Sequence, residues 1–405
     1  MWQGAIGVQA AADQAAWQGM RLMIAYLALE LTGSVVFVGV VTAIFALSGL
    51  LVSVPSGRLS DRFGSARVAL IALSVSILGT AVAVLSPSVP GVVVLAAVVG
   101  GSHVFSIVAQ QNFVARVATG SPDAAFGTLT AAVSIGQLVG PPLVTAAAVA
   151  WAASPTHPNA GIGLLCCIAL WAVAVPTYFV LRPAELRAQG PQLPAGKPPS
   201  LLTTLRIKGI LPSMLVGGAV LVTVDLLASF IPVWAVAQHI PASVVGWLLA
   251  LRALFTIVSR FGVARMVARF GRKTLLLVAL SLGVVALVAM PFADAWWAIP
   301  LMALLGLGLG LPQPLTLAWM SSLTPVHSRG AAFGARMTVN RLAQVSLPLI
   351  VSVVAGPLGV LAVFLSTAAI LAGGVAIVGA THAAALNEHA SPDDVERDVD
   401  SPDAA

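Results

Sequence analysis

The 405 residues are 59% hydrophobic and only 8% charged, against roughly 25% charged in an average soluble domain, so water cannot be the solvent for most of this chain. A formal net charge of +6 would suit a nucleic-acid partner only if the cations shared one face. They sit instead in short clusters between apolar segments, which excludes that class. Cys166 and Cys167 are adjacent in an apolar run, with neither disulfide nor metal spacing, so no metal or other cofactor is expected.

Crossing the hydrocarbon core takes about twenty apolar residues. On that ruler the sequence predicts helices over 4–30, 35–55, 67–85, 91–114, 125–151, 161–181, 209–236, 243–262, 273–292, 296–320, 331–355 and 358–380. The expected fold is an all-α integral membrane protein with twelve transmembrane helices in two pseudo-symmetric six-helix bundles. Residues 1–181 form the N-terminal bundle, 182–208 a polar, Pro-rich cytoplasmic linker, and 209–382 the C-terminal bundle. The acidic tail 383–405 cannot bury a core and is expected to be disordered.

The halves repeat. A shift of 207 residues carries Arg62-Phe63-Gly64 onto Arg269-Phe270-Gly271, Ala124-Ala125-Phe126-Gly127 onto Ala331-Ala332-Phe333-Gly334, and Gln137 onto Gln344. One offset serving separate helix pairs points to duplicated bundles with a pathway between them. Lys and Arg fall on one side only: Arg58, Arg62, Arg116, Arg187, Arg269 and Arg329 all belong to alternate connections, and the other connections hold none. That bias predicts both termini in the cytoplasm and a multi-pass protein of the cell membrane.

Taken in chain order, the first span carries Asp13, Trp17 and Arg21 at i, i+4 and i+8. The two charges lie about 12 Å apart along the helix, so each must find a partner on another helix or in water. Asp13 is either part of a pathway or exposed near the inner interface.

Gly57-Arg58-Leu59-Ser60-Asp61-Arg62-Phe63-Gly64 follows the second span. It resembles the loop Gly-x-Leu-Ala-Asp-Arg-x-Gly-Arg-Lys that marks the major facilitator superfamily. The resemblance implies a secondary transporter that works by alternating access, with Gly57, Asp61, Arg62 and Gly64 at an inner gate. The second copy keeps Arg269-Phe270-Gly271-Arg272-Lys273 but has Ala268 in place of Asp61, so its latch is expected to be weaker. In the fifth span Gly136-x-x-x-Gly140-Pro141 resembles the Gly-x-x-x-Gly-Pro element of the superfamily's proton-coupled exporters, although Pro142-Leu143 replaces the usual trailing glycines.

Ionisable groups at membrane depth are expensive and usually functional. His103, mid-way along the fourth span, shares a face with Ser106 and Gln110. It is either a proton carrier or a neutral side chain bonded across a helix contact. Asp225 in the seventh span and Arg252 in the eighth are deep and on consecutive helices, which predicts an ion pair. In the tenth span the glycines 306, 308 and 310 before Pro312-Gln313-Pro314 predict a bend that frees carbonyls beside Gln313, or close helix packing. The eleventh carries Arg336, Asn340 and Gln344 at i, i+4 and i+8, with Arg341 beside them. Arg336 either joins the pathway or snorkels to the inner interface.

These residues imply a monomeric carrier, not an enzyme, whose partners are lipid, protons and a small amphiphilic molecule. Proton-coupled export is the leading direction, and proton symport of an organic anion inward is the alternative. The excess of deep arginines over aspartates favours a cargo that is partly anionic. Reporter fusions at 190 and after 383 should read cytoplasmic and one at 157 external. A cytoplasmic reading at 157 would overturn this topology.

Overall fold

The computed structural model describes residues 1–117, 122–188, 209–324 and 329–381, which contain no β-strand. The helices are α1 (Trp2–Thr32), α2 (Val35–Phe63), α3 (Ser65–Leu85), α4 (Val89–Val117), α5 (Pro122–Ala150), α6 (Ala160–Ala174), α7 (Tyr178–Arg187), α8 (Ile210–Ala237), α9 (Ala242–Ser259), α10 (Val263–Phe270), α11 (Arg272–Ala289), α12 (Ala295–Gly310), α13 (Pro312–Ser322) and α14 (Arg329–Ala380). A 3₁₀ turn joins α6 to α7, which makes one span of them; α12 and α13 make another. Helix α14 holds two spans, broken where Gly359 turns to φ 67°. With these joins, and leaving out the eight-residue α10, the described residues make twelve spans. Ten are long and apolar enough to cross a bilayer on those criteria alone. Helix α1 falls short in hydropathy because it carries Asp13, Arg21, Glu30 and four glutamines.

Most expected elements appear within a few residues, with two informative differences. Helix α2 does not stop at 55: it runs through Gly57, Asp61 and Arg62 to Phe63, and only Gly64 leaves helical geometry, at φ 90°. Arg62 in the last turn complements the carbonyl end of the helix, which favours the extension. Helix α7 carries on to Arg187, so the first residues expected in the linker are helical. The remainder of that linker, from 189 to 208, and the acidic tail lie outside the described residues.

The duplication is visible in the helix bounds. The starts of α2, α3 and α5 at 35, 65 and 122 fall, 207 residues on, at the starts of α9, α11 and α14 at 242, 272 and 329. The halves meet in matching pairs: α2 packs on the first limb of α14, and α5 packs on α9. Away from the arginine-rich side, Ala242 N–H donates to the Pro155 carbonyl at 2.9 Å, and Gly246 of α9 lies against Pro141 and Thr145 of α5.

Close approach explains the glycines of α5. A Cβ at Gly136 or Gly140 would run into the backbone of Ala11 or Ala15 on α1; at Gly140 it would stand 2.6 Å from the Ala15 Cα. Helices that touch through backbone gain dispersion contact that lipid cannot supply. Gly140→Ala should therefore overpack this seam by roughly 1–3 kcal/mol and lower the unfolding temperature in detergent. Gly127→Ala, in the same helix and facing open space, should not lower it. Equal effects from the two would remove the seam as the cause.

Candidate functional site

A cavity of about 160 Å³ lies where the halves meet, lined by Trp17 and Arg21 of α1, Phe45 of α2, His103 and Ile107 of α4, Asp225 of α8, and Arg341 and Gln344 of α14. Each polar member sits near the middle of its helix, as a membrane-depth site requires.

Among the described residues, one ion pair joins the halves. Arg21 Nη1 donates to Asp225 Oδ1 at 2.7 Å, and Nη2 donates to the Asp225 carbonyl at 2.8 Å. The other oxygen, Oδ2, accepts from Gln344 Nε2, whose own Oε1 accepts from Arg341 Nη1 at 3.3 Å. The chain Arg21–Asp225–Gln344–Arg341 thus crosses the cavity floor. The expected pair Asp225–Arg252 does not form. Consecutive helices need not be neighbours: α9 packs mainly on α5 and α12, and touches α8 lightly. Asp225 faces α1 and α14 instead. Arg252 is buried, and its Nε has no hydrogen-bond partner.

Asp13 is neither at the interface nor in the cavity. It is 3% exposed and accepts hydrogen bonds from Ser106 Oγ at 2.6 Å, Gln110 Nε2 at 3.2 Å and Trp171 Nε1 at 3.0 Å. The carboxylate therefore ties α1 to α4 and α6. His103 stands beside it, with Nδ1 3.8 Å from Asp13 Oδ2 and without a hydrogen-bond partner. The imidazole stacks on the Trp17 ring at 4.0 Å and 8°. Arg21 lies 5.9 Å from that ring, so His103, Trp17 and Arg21 form a column leading from Asp13 to the interhalf ion pair.

Arg336, Asn340 and Gln313 form a separate cluster. Arg336 does not snorkel: it is 3% exposed, and its Nη2 donates to Gln313 Oε1 and Thr316 Oγ1, both at 3.1 Å. Gln313 Nε2 in turn donates to the Gly217 carbonyl at 3.3 Å. Arg336 Nη1 and Asn340 Oδ1 are buried without a partner. The tenth span breaks at Leu311 as the glycines predict; Pro314 has no N–H to offer the Gly310 carbonyl, which accepts from Arg260 Nε, and within the helix the Gly306 carbonyl accepts from Thr256 Oγ1. Packing is served too, since Gly306 and Gly310 face the α9 backbone.

At the arginine-rich side Asp61 pairs with Arg116 of α4, within its own half. Arg62 stacks on Phe63, and Gly57 faces open space. Glu185 of α7 is the acid that sequence reasoning missed. It is buried, and it accepts from the backbone N–H groups of Ser65 and Ala66 at the start of α3 and from Arg182 Nη1 at 3.1 Å. A side chain at Gly64 would collide with Arg182 and Glu185. The signal was an Arg182-x-x-Glu185 pair one turn apart at the end of a span, which reads equally as linker composition.

Two duplicated bundles with a polar cavity at mid-membrane define a multi-pass membrane carrier. The family model described as Major Facilitator Superfamily matches residues 8–241 and 213–397, and the chain belongs to that superfamily. It is a transporter rather than an enzyme. Among solved structures it resembles the nucleoside transporter NupG, at 11% identity and TM-score 0.73 over 95% of this chain and 99% of that one. It also resembles a bacterial homologue of the human lysosomal transporter Spinster, inward-facing and occupied, at 15% identity and TM-score 0.73, covering 96% and 98%. A POT family transporter in complex with a peptide conjugate matches at 14% identity and TM-score 0.72, covering 93% and 94%. No curated protein matches the chain by sequence.

The Arg21 end of this pair is buried and the Asp225 end is partly exposed, so removing the carboxylate strands a buried charge, at a cost of up to roughly 3–5 kcal/mol. Asp225→Asn should lower thermal stability by stranding Arg21, and adding Arg21→Gln should restore most of it. Adding Arg252→Gln to Asp225→Asn should not. Rescue by Arg252→Gln would reinstate the pair expected from sequence.

Proposed function

We propose that this transporter exports a small amphiphilic molecule in exchange for protons, as a monomer in the cell membrane with both termini cytoplasmic. Alternating access occurs between the two six-helix halves, 1–181 and 209–382. The observation that carries the reading is the column of His103, Trp17 and Arg21 that ends on the bridge to Asp225.

An imidazole changes charge between about pH 5 and 8. The charged groups around His103 are Asp13 on α1 and, in the shared cavity, Arg21, Asp225 and Arg341. A proton gained at His103 places a cation against the Trp17 face beside Arg21, and like charges loosen the hold of Arg21 on Asp225. Asp13 itself is held by three donors and serves as a fixed counter-charge. Gly57, Asp61, Arg62 and Gly64 act at the inner gate, where the Asp61–Arg116 pair sets how α2 and α4 end. Export is supported by Gly136, Gly140 and Pro141, which let α5 slide against both α1 and α9. The positive residues on one side support the orientation.

Substrate-triggered proton movement, read by a pH dye trapped in proteoliposomes, tests this reading. His103→Gln should flatten its pH dependence between about pH 5 and 8 while leaving folding intact. An unchanged profile would move coupling away from His103. Efflux into everted vesicles against uptake into cells decides between export and import.

A further inference from the structure

Asp225 is the one carboxylate that lines the cavity among the described residues, and it is fully engaged. Both its oxygens and its backbone carbonyl accept from Arg21 and Gln344. Arg341 lines the same cavity, reaching across it to Gly49 of α2, and has a neutral amide as its hydrogen-bond partner. No carboxylate of the described residues comes within 4 Å of it. Behind the wall lies Arg252, buried and within electrostatic reach of Asp225. With His103 neutral, Arg21 and Arg341 against Asp225 leave the cavity one positive charge in excess.

A guanidinium facing a low-dielectric cavity without a carboxylate in direct contact is costly, and it presents several N–H donors in a fork that fits a carboxylate. The rest of the lining supplies an apolar wall, with Phe45, Val104 and Ile107 around the polar floor. The volume of about 160 Å³ is close to that of a cavity of about 150 Å³ that accepts benzene. We propose that the cargo is a small organic monoanion, a single ring or short chain with one carboxylate, seated with its acid on Arg341 and its body against Phe45 and Ile107. The inference rests on the transport reading above and adds the chemical class of the cargo. An anion there also lies beside Arg21 and competes with Asp225 for it, so loading the cavity weakens the bridge between the halves.

The test is equilibrium binding to the purified full-length protein at constant pH, read by intrinsic tryptophan fluorescence and by thermal shift. The probes are benzoate, salicylate and hexanoate against benzylamine and benzyl alcohol. The carboxylates should bind and stabilise, and the amine and alcohol should not. Arg341→Gln should weaken carboxylate binding by roughly tenfold to a hundredfold, the loss expected for a charge-assisted contact. Arg341→Lys should weaken it less, and Arg67→Gln on the exposed surface should leave it unchanged. Preference for benzylamine, failure of every carboxylate to bind, or carboxylate binding indifferent to Arg341→Gln would each overturn the proposal. No proton gradient enters the measurement, so carboxylate binding without proton-driven movement would refute the coupling and keep the cargo class. Proton-driven movement of an amine would do the reverse.

Discussion

A charge at membrane depth must be answered where it stands, because no water is at hand to solvate it. The bond between Arg21 and Asp225 is where this constraint shapes the molecule. It is made by α1 of one half and α8 of the other, so pairing a buried arginine with a partly buried aspartate also joins the two bodies that have to move apart. Away from the arginine-rich side the halves also meet by close packing, as where Gly246 lies against Thr145. The ion pair lies in the middle, where the cavity is. Whatever competes for either partner therefore acts on the alignment of the halves, and the cavity lies beside both.

Much of this was legible in the sequence because the bilayer imposes it. Span lengths, the polar stripes on the first and eleventh spans, the break at 311 and the 207-residue repeat follow from hydropathy, helical period and glycine–proline chemistry, and these act locally. Pairing was not legible. Arg252 and Asp225 looked like partners because their helices are consecutive, but helix order in the chain does not fix helix order in the bundle. Asp13 could be read as an interfacial acid, since only twelve residues precede it. Its partner Trp171 lies 158 residues away and looked like ordinary apolar filling. Glu185 was hidden for the opposite reason: a buried acid at the end of a span has the composition of a linker.

The two halves share a backbone plan and divide the chemistry unequally. The position 207 residues on from Asp13 is Val220, so the N-terminal half alone has the carboxylate that locks α1 to α4 and α6. The counterpart of Asp225 is Gln18, and that of Arg21 is Ala228. The bridge therefore occurs once, off the pseudo-twofold axis, although the helices bearing it are equivalent. At the arginine-rich side Asp61 meets Arg116, whereas Ala268 stands at the matching place in the second copy. Rocking needs only that the two bodies match in shape. Directional coupling needs their charges to differ, since identical halves would hold a cargo equally from both sides. The N-terminal half supplies the titratable ring over a fixed carboxylate, and the C-terminal half supplies Arg341 and Gln344 around Asp225. The cavity is thus lined by His103 and Arg21 from one half and by Asp225, Arg341 and Gln344 from the other, so its two walls are chemically unlike.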